Sequence, residues 1–423
     1  MGIKLLLAGR YQGGEHFFSP PEEPEPWLRR VEQWFQEVTG ELLENSRIVE
    51  GPDGAPLLLM RLHPAAGEVA VLAAGQARLV VLADTAAVGP GYHRYLCDLL
   101  KRLGQALHIT WAEPNATENV GDPTGYFHTG DAGPLEAQML AWLKDVASQV
   151  LDMRQRGRSG LALSMRFGHV FEHPGALLTP LGPRDEAWLR AVREEPARGK
   201  DVFPWWEPGH NATSRLGRAL SRLWTDVVWR PPLLEEERRV FLNVARLLEQ
   251  AWRESPGLDY PWREWQEVLG YLGKGGTLAE EVSQRANQAA EGPRIGYRRG
   301  SVQVVLPEGW EIRIPGSLAE ERLGDGSWVA RDHRRTVRFV PLESHEDDIA
   351  AASPERRLLE LEHNGARVSG RASLQVGPGE CRLTALCRSG NRRALCVVSF
   401  DDPEEQDWAV GTWHSLDRAV AAA

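Results

Sequence analysis

Cysteine and lysine are scarce in this chain, and long apolar runs are missing. The four cysteines among 423 residues, Cys97, Cys381, Cys387 and Cys396, form no CxxC pair and no secreted-scaffold density. That excludes a disulfide-stapled fold and suits a reducing compartment, where buried thiols stay free. No run approaches the ~18 apolar residues that a membrane-spanning helix needs. The apolar part of Met1–Ala8 is too brief for a secretory signal. The expectation is a cytoplasmic protein with no membrane partner. Glycine motifs are missing too: no GxxxxGK[ST], GxGxxG or GxSxG occurs, and Gly273-Lys274-Gly275-Gly276-Thr277 has the wrong spacing for a phosphate loop. Nucleotide hydrolysis and α/β-hydrolase chemistry are not expected.

Lysine accounts for 5 of the 49 basic residues and arginine for 44, a skew that reads, with abundant Ala, Gly and Leu, as a GC-rich bacterial genome. A formal charge of -10 argues against nucleic acid as a partner, because a polyanion needs a cationic footprint. Two local clusters stand out, Arg154/Arg156/Arg158 and Arg331/Arg334/Arg335/Arg338. Their ordinary reading is solvated charge on helix ends and strand faces. Hydrophobic content of 42% and charged content of 26% fit a globular chain long enough for two or three domains.

The pattern along the chain predicts an α+β fold. Ile3–Ala8 reads as a strand, and Trp27, Leu28, Val31, Trp34, Phe35 and Val38 follow helical spacing after a Pro-rich turn. Pro56–Leu62, Glu68–Ala73 and Ala77–Ala83 read as an antiparallel meander. Helices follow through Tyr92–Leu103 and from Leu135 to about Met153, with Leu161–Met165 as a buried strand. From about Asp185 to Ala290 the spacing is helical only, and Glu291-Gly292-Pro293 reads as a linker. The expected division is an α+β domain over 1–184, a Trp-rich helical segment packed on it over 185–292, and a separate antiparallel sheet flanked by helices over 293–423.

Three constellations could carry chemistry. His169-Val170-Phe171-Glu172-His173 matches the H-x-x-E-H string of inverted zinc peptidases, which needs His169 and His173 one helical turn apart on a metal with Glu172 as base. Gly168 before it and Pro174-Gly175 after it leave room for about one turn, so loop histidines are the ordinary reading. His93 and Cys97 stand at i,i+4 with Asp84 upstream, a spacing that brings an imidazole to a thiol. Tyr92, Leu96 and Leu100 beside them argue for core. Asp122, His128 and Asp131 lie in a Gly-rich loop that could meet an ion, although their spacing fits no template.

Tryptophan is the abundant oddity, with 16 residues, eight of them from Trp188 to Trp265. Trp205 and Trp206 sit between prolines in Phe203–Gly209, and Trp262 and Trp265 open a helix after Pro261. Exposed indoles of this kind anchor partners; the ordinary alternative is that they staple helices together.

The last 130 residues run strands, helix, strands, helix. The strands are Val302–Leu306, Ser327–Arg331 and Thr336–Val340, then Ala366–Val376, Glu380–Cys387 and Arg392–Phe400; the helices are Ser353–Glu362 and Pro403–Val420. With its Leu306-Pro307-Glu308-Gly309-Trp310 opening, about 294–423 resembles the PsbP/Mog1/DcrB-type fold. That resemblance implies an antiparallel sheet with helices against its faces, and it implies protein binding at class level. No site residue is carried over, because the shared segment is structural.

The resulting expectation is a non-enzymatic adaptor, chaperone or immunity-type protein of a bacterial conflict or defence system. It has no catalytic residue and no cofactor, binds another protein, and the acidic charge points to a basic partner. Trp205, Trp206, Trp262 and Trp265 are the expected contacts. The alternatives are a metal-dependent hydrolase using His169, Glu172 and His173, and a small-ligand sensor binding in the N-terminal sheet near Asp84 and His93.

Overall fold

The computed structural model describes residues 2–418 apart from 12–22, 52–53, 75–76, 116–119, 158–160, 164–167, 172, 174, 343–357, 366 and 378–380. Its first layer is a six-stranded antiparallel sheet. The strands are β1 (Lys4–Tyr11), β2 (Asn45–Glu50), β3 (Pro56–Arg61), β4 (Val69–Ala74), β5 (Arg78–Asp84) and β6 (Ile109–Trp111), in the order β2-β3-β4-β5-β1-β6. The predicted meander is β3–β4–β5. β1 closes it by pairing with β5, Leu6 opposite Leu82. Alternation sends Leu5, Leu7, Leu58, Met60, Val71 and Val81 to one face, where all are buried.

That face is covered by α1 (Pro24–Thr39) and α2 (Pro90–Ala106). Pro24 sits where the first helical N–H has no partner, and Trp27, Leu28, Val31 and Phe35 form the buried stripe of α1. α2 starts after Gly89, whose φ of 115° suits glycine; a Cβ there would also lie 2.6 Å from the Trp205 carbonyl oxygen. A one-turn helix α3 (Tyr126–Thr129) precedes α4 (Ala132–Gln155), which Asp131 caps by accepting from Gly133 N–H at 2.9 Å.

The middle of the chain holds β7 (His169–Phe171), the hairpin β8 (Leu177–Thr179) and β9 (Gly182–Arg184), and five helices' worth of packing. α5 (Glu186–Glu194) packs on α4. α6 (Ala212–Thr225), α7 (Glu235–Glu254), α8 (Trp262–Tyr271) and α9 (Thr277–Gln288) share their own core around Leu223, Phe241, Leu248 and Trp265. Arg218 ties α6 to the first sheet. Its buried guanidinium donates to Leu62 O at 2.9 Å and Leu42 O at 3.1 Å and pairs with Glu44.

The remainder is β10 (Ser301–Val305), β11 (Trp310–Pro315), β12 (Ala319–Arg322), β13 (Trp328–Arg331), β14 (Arg335–Leu342), β15 (Leu358–Asn364), β16 (Ser369–Gln375), β17 (Cys381–Ser389), β18 (Arg392–Phe400), α10 (Gln406–His414) and β19 (Asp417–Arg418). Seven strands form one antiparallel sheet, β12-β13-β14-β18-β17-β16-β15, and β19-β11-β10-β7 form another. Between them lies a core of Trp310, Phe339, Leu383, Val398, Phe400 and Trp413. Cys381, Cys387 and Cys396 are free and buried there, as the sequence predicts.

The architecture is α+β with antiparallel sheets, as expected. Some elements differ. The helix predicted at Ser353–Glu362 is strand from Leu358 onward, its earlier residues lying outside the described ones. The predicted terminal helix stops at His414, and Asp417–Arg418 pairs with β11 instead. Core membership also crosses the expected boundaries. Leu189, Val192, Val202 and Trp205 belong with the first sheet, while Phe171 and Leu178 join the C-terminal core because β7 pairs with β10. Among the described residues, no helix is long and apolar enough to cross a membrane.

Candidate functional site

Among the described residues, two places combine unusual side chains with a neighbouring cleft or open face. The first lies where α2, β1 and the loop before α3 meet. Gly121 is bolted to β1 by two backbone bonds with Leu6, of 3.1 and 2.6 Å, so the next residue, Asp122, is delivered against the first turns of α2. There it meets His93, with Nε2 to Oδ2 at 3.2 Å and both side chains fully buried. Thr85, at the end of β5, closes the other side of the ring, its hydroxyl 2.8 Å from His93 Nδ1. Thr124 N–H and Phe127 N–H donate to Asp122 at 2.9 and 2.8 Å, and the Thr124 hydroxyl lies 2.8 Å from both carboxylate oxygens.

Burial alone would raise the Asp122 pKa. The hydrogen bond and charge of His93, with the Phe127 and Thr124 N–H groups, outweigh it and hold the carboxyl at about 2. Cys97 joins the cluster from the next turn of α2; desolvation, and then the Asp122 charge, push its thiol well above the ordinary value. A thiol so held is no nucleophile at neutral pH. Beside the cluster, on the outer face of the first sheet, is a cleft of about 630 Å³. Lys4, Leu6, Leu82, Asn115, Gly121 and Asp122 line it.

The second place is the outer face of the seven-stranded sheet. Its inner face is buried through the middle of β13, β14, β16, β17 and β18, while its outer face is half-exposed among the described residues. Register places Val340, Leu395 and Leu386 side by side across β14, β18 and β17, with Arg371 next on β16. Arg338, Arg388 and Arg393 stand one same-face position along from this row, and Leu386 keeps 38% of its surface exposed. Arg331, Arg338 and Arg371 make ion pairs with Glu321, Asp325 and Glu362 at 3.1, 3.2 and 3.4 Å. A depression of about 420 Å³ lies among Arg371, Leu386, Arg388 and Arg393.

The residues singled out from sequence fare unevenly. Trp205 is 1% exposed, and the expectation that it anchors a partner is corrected. Its N–H donates to Val88 O at 2.9 Å, its carbonyl accepts from Gly91 N–H at 3.1 Å, and its indole donates to Gly209 O at 3.0 Å. Trp265, fully buried in the helical core, is corrected likewise. Trp206 and Trp262 are half-buried, the first under Lys200 at 4.8 Å and the second stacked on Trp265 at 5.5 Å.

The premise for the zinc-peptidase string is absent, because His169–Phe171 is strand, paired with β10. His169 contacts Glu320 at 2.7 Å, His173 is exposed, and Glu172 lies outside the described residues. Asp84 is exposed beside the cleft, and His128 and Asp131 point to solvent away from Asp122. The i,i+4 pair His93 and Cys97 was legible; its third partner, 25 residues beyond Cys97, was named in sequence but not joined to it. In sequence the sheet face shows only as the alternation of β17 and β18 and the cluster Arg331/Arg334/Arg335/Arg338, of which Arg331 and Arg338 lie on it. No protein-family model matches the chain, and no curated protein matches it.

Proposed function

We propose that this chain is a non-enzymatic protein-binding module of the adaptor, chaperone or immunity type, working in a bacterial conflict or defence system through the outer face of its seven-stranded sheet. The observation that carries the reading is the apolar row Val340–Leu395–Leu386 within a surround of arginines. Protein contacts combine an apolar centre with arginine-rich surroundings in this way. The net charge of -10 favours a basic partner, but this face carries the opposite sign and fits an acidic one. The resemblance of 294–423 to the PsbP/Mog1/DcrB-type fold supports the reading by analogy.

The test is capture from native lysate with the intact chain and with an Arg371→Glu/Arg388→Glu variant, both checked for folding. One stoichiometric acidic protein, released as salt rises and lost with the variant, is the expected result. A partner held equally well by the variant would move the contact off this face, and no partner at low salt would sink the reading.

A second reading, small-ligand sensing, is favoured by the cleft beside Lys4, Asn115 and Asp122. Pockets that mix apolar walls with a few polar groups are where small ligands bind. A thermal-shift screen should then find a compound that raises the melting temperature, and Leu82→Arg, at a residue 44% exposed in the cleft, should abolish the shift.

A further inference from the structure

We infer that His93, Cys97 and Asp122 form a binding site for one divalent transition metal of the zinc class. One donor atom from each residue lies within 4.8 Å of the other two, and all three residues are buried. Imidazole nitrogen, thiolate sulfur and carboxylate oxygen are the ligand set that zinc takes from proteins. The 3.2 Å between His93 Nε2 and Asp122 Oδ2 is close to the edge of a tetrahedron with metal–ligand bonds of about 2.0–2.1 Å.

Charge favours the same occupant. A buried ion is costly unless neutralised. A divalent cation with one thiolate, one carboxylate and one neutral imidazole sums to zero. In forming the complex the Cys97 S–H bond breaks, sulfur donates its electron pair to the metal, and the proton leaves to solvent; nothing is oxidised or reduced.

Thr85 makes the arrangement compatible with a metal on Nε2. A metal on Nε2 requires the proton on Nδ1 and an acceptor for it, the usual support for a ligating histidine. The Thr85 hydroxyl is 2.8 Å from Nδ1 and also 3.4 Å from Ile3 O. It can therefore accept from Nδ1–H while donating to Ile3 O, or donate to a bare Nδ1 when Nε2–H faces Asp122. Both tautomers of His93 are satisfied, so a metal can displace the Nε2–H···Asp122 bond without orphaning the ring. Three protein donors leave a fourth position for water or an exchangeable ligand.

The test is titration of the untagged, full-length protein with cobalt(II), a spectroscopic stand-in for zinc. One equivalent should bind, giving a thiolate-to-cobalt charge-transfer band and the d–d bands of four-coordinate cobalt, and zinc should displace it. Cys97→Ser, nearly the same size, should remove the charge-transfer band and weaken zinc by more than about 100-fold, while Thr85→Val should weaken it about 10–100-fold. His93→Gln, which can keep contacts to Thr85 and Asp122, is the second variant should Cys97→Ser not fold, and it should abolish the four-coordinate spectrum. A folded wild-type protein with no thiolate band overturns the inference. So does a band that survives in folded Cys97→Ser, because the sulfur would then come from elsewhere.

Discussion

His63 has no exposed surface; its Nδ1 accepts from Ala65 N–H at 3.1 Å and its Nε2 finds no partner among the described residues. Burial, then the charges of Arg218, Arg222 and His210, press its pKa well below the ordinary value. His210 is held at about 4, by burial first and then by Arg215 and Arg218. Both rings are thus neutral in the fold, whereas the unfolded chain protonates them near pH 6.5. Between those values the unfolded state binds more protons, so stability should be full above about pH 6.5 and drain away as pH falls toward about 4. Urea midpoints at about pH 7 and pH 5 should show the drop, and His63→Gln should flatten it. A midpoint unchanged between the two would count against neutral buried rings. The helix spacing of His93 and Cys97 was readable because it repeats within one turn. The meeting of His93 with Asp122, and of His63 with Arg218, depends on loop and interdomain packing that no local pattern encodes. For the same reason Trp205, flanked by prolines, looked like a surface indole and is a plug.

The segment Phe203–Gly209 is clamped between α2 and α6, and two glycines make the clamp possible. A Cβ on Gly217 would fall 1.9 Å from Pro204 O, and one on Gly91 would fall 2.2 Å from Glu207 O. In an exposed helix Gly→Ala stabilises by roughly 0.5–1 kcal/mol. Here Gly217→Ala and Gly91→Ala should each destabilise instead, by about 1–3 kcal/mol or more, because backbone must move to admit the methyl. Thermal unfolding gives the sign directly. Elements with strong local periodicity were legible: β3, β4, β5, α2 and α4 all lie within a few residues of their predicted bounds. Others were not. α9 buries only Val282 and Ala286, so its apolar stripe is faint. β15 is built from Leu and Glu, good helix formers, but its Leu-Glu-Leu-Glu alternation has the period of a strand and pairing with β16 decides it. β2 and β11 were passed over, although Trp310-Glu-Ile-Arg-Ile-Pro alternates plainly.

Among the described residues three apolar cores can be told apart, Arg218 tying the helical one to the first sheet and further buried polar bonds fixing the C-terminal one. Tyr297 OH donates to Thr179 O at 2.9 Å, and Arg298 donates to Gly316 O at 2.7 Å while pairing with Glu320, the carboxylate that His169 also meets. The expected boundary near residue 292 marks a change of pattern but not a clean cut, because Val170 sits opposite Gln303 in one sheet. A fragment starting at residue 293 would lack β7 and leave Phe171's place against Tyr297 empty. It should therefore unfold at a lower denaturant concentration than the same core in the intact chain, and adding a peptide of residues 161–180 should restore part of the difference. Equal stability with and without β7 would show that pairing to be dispensable.

That borrowed strand also sets a timetable. A ribosome adding about 5–20 residues per second delivers β7 many seconds before β10, and β19 later still. Throughout that interval Val170 and its neighbours have no β10 to pair with, while the first sheet can already close on α1 and α2. The four-stranded sheet is thus the piece of this protein most exposed to misassembly during synthesis, whatever partner or metal the finished chain goes on to hold.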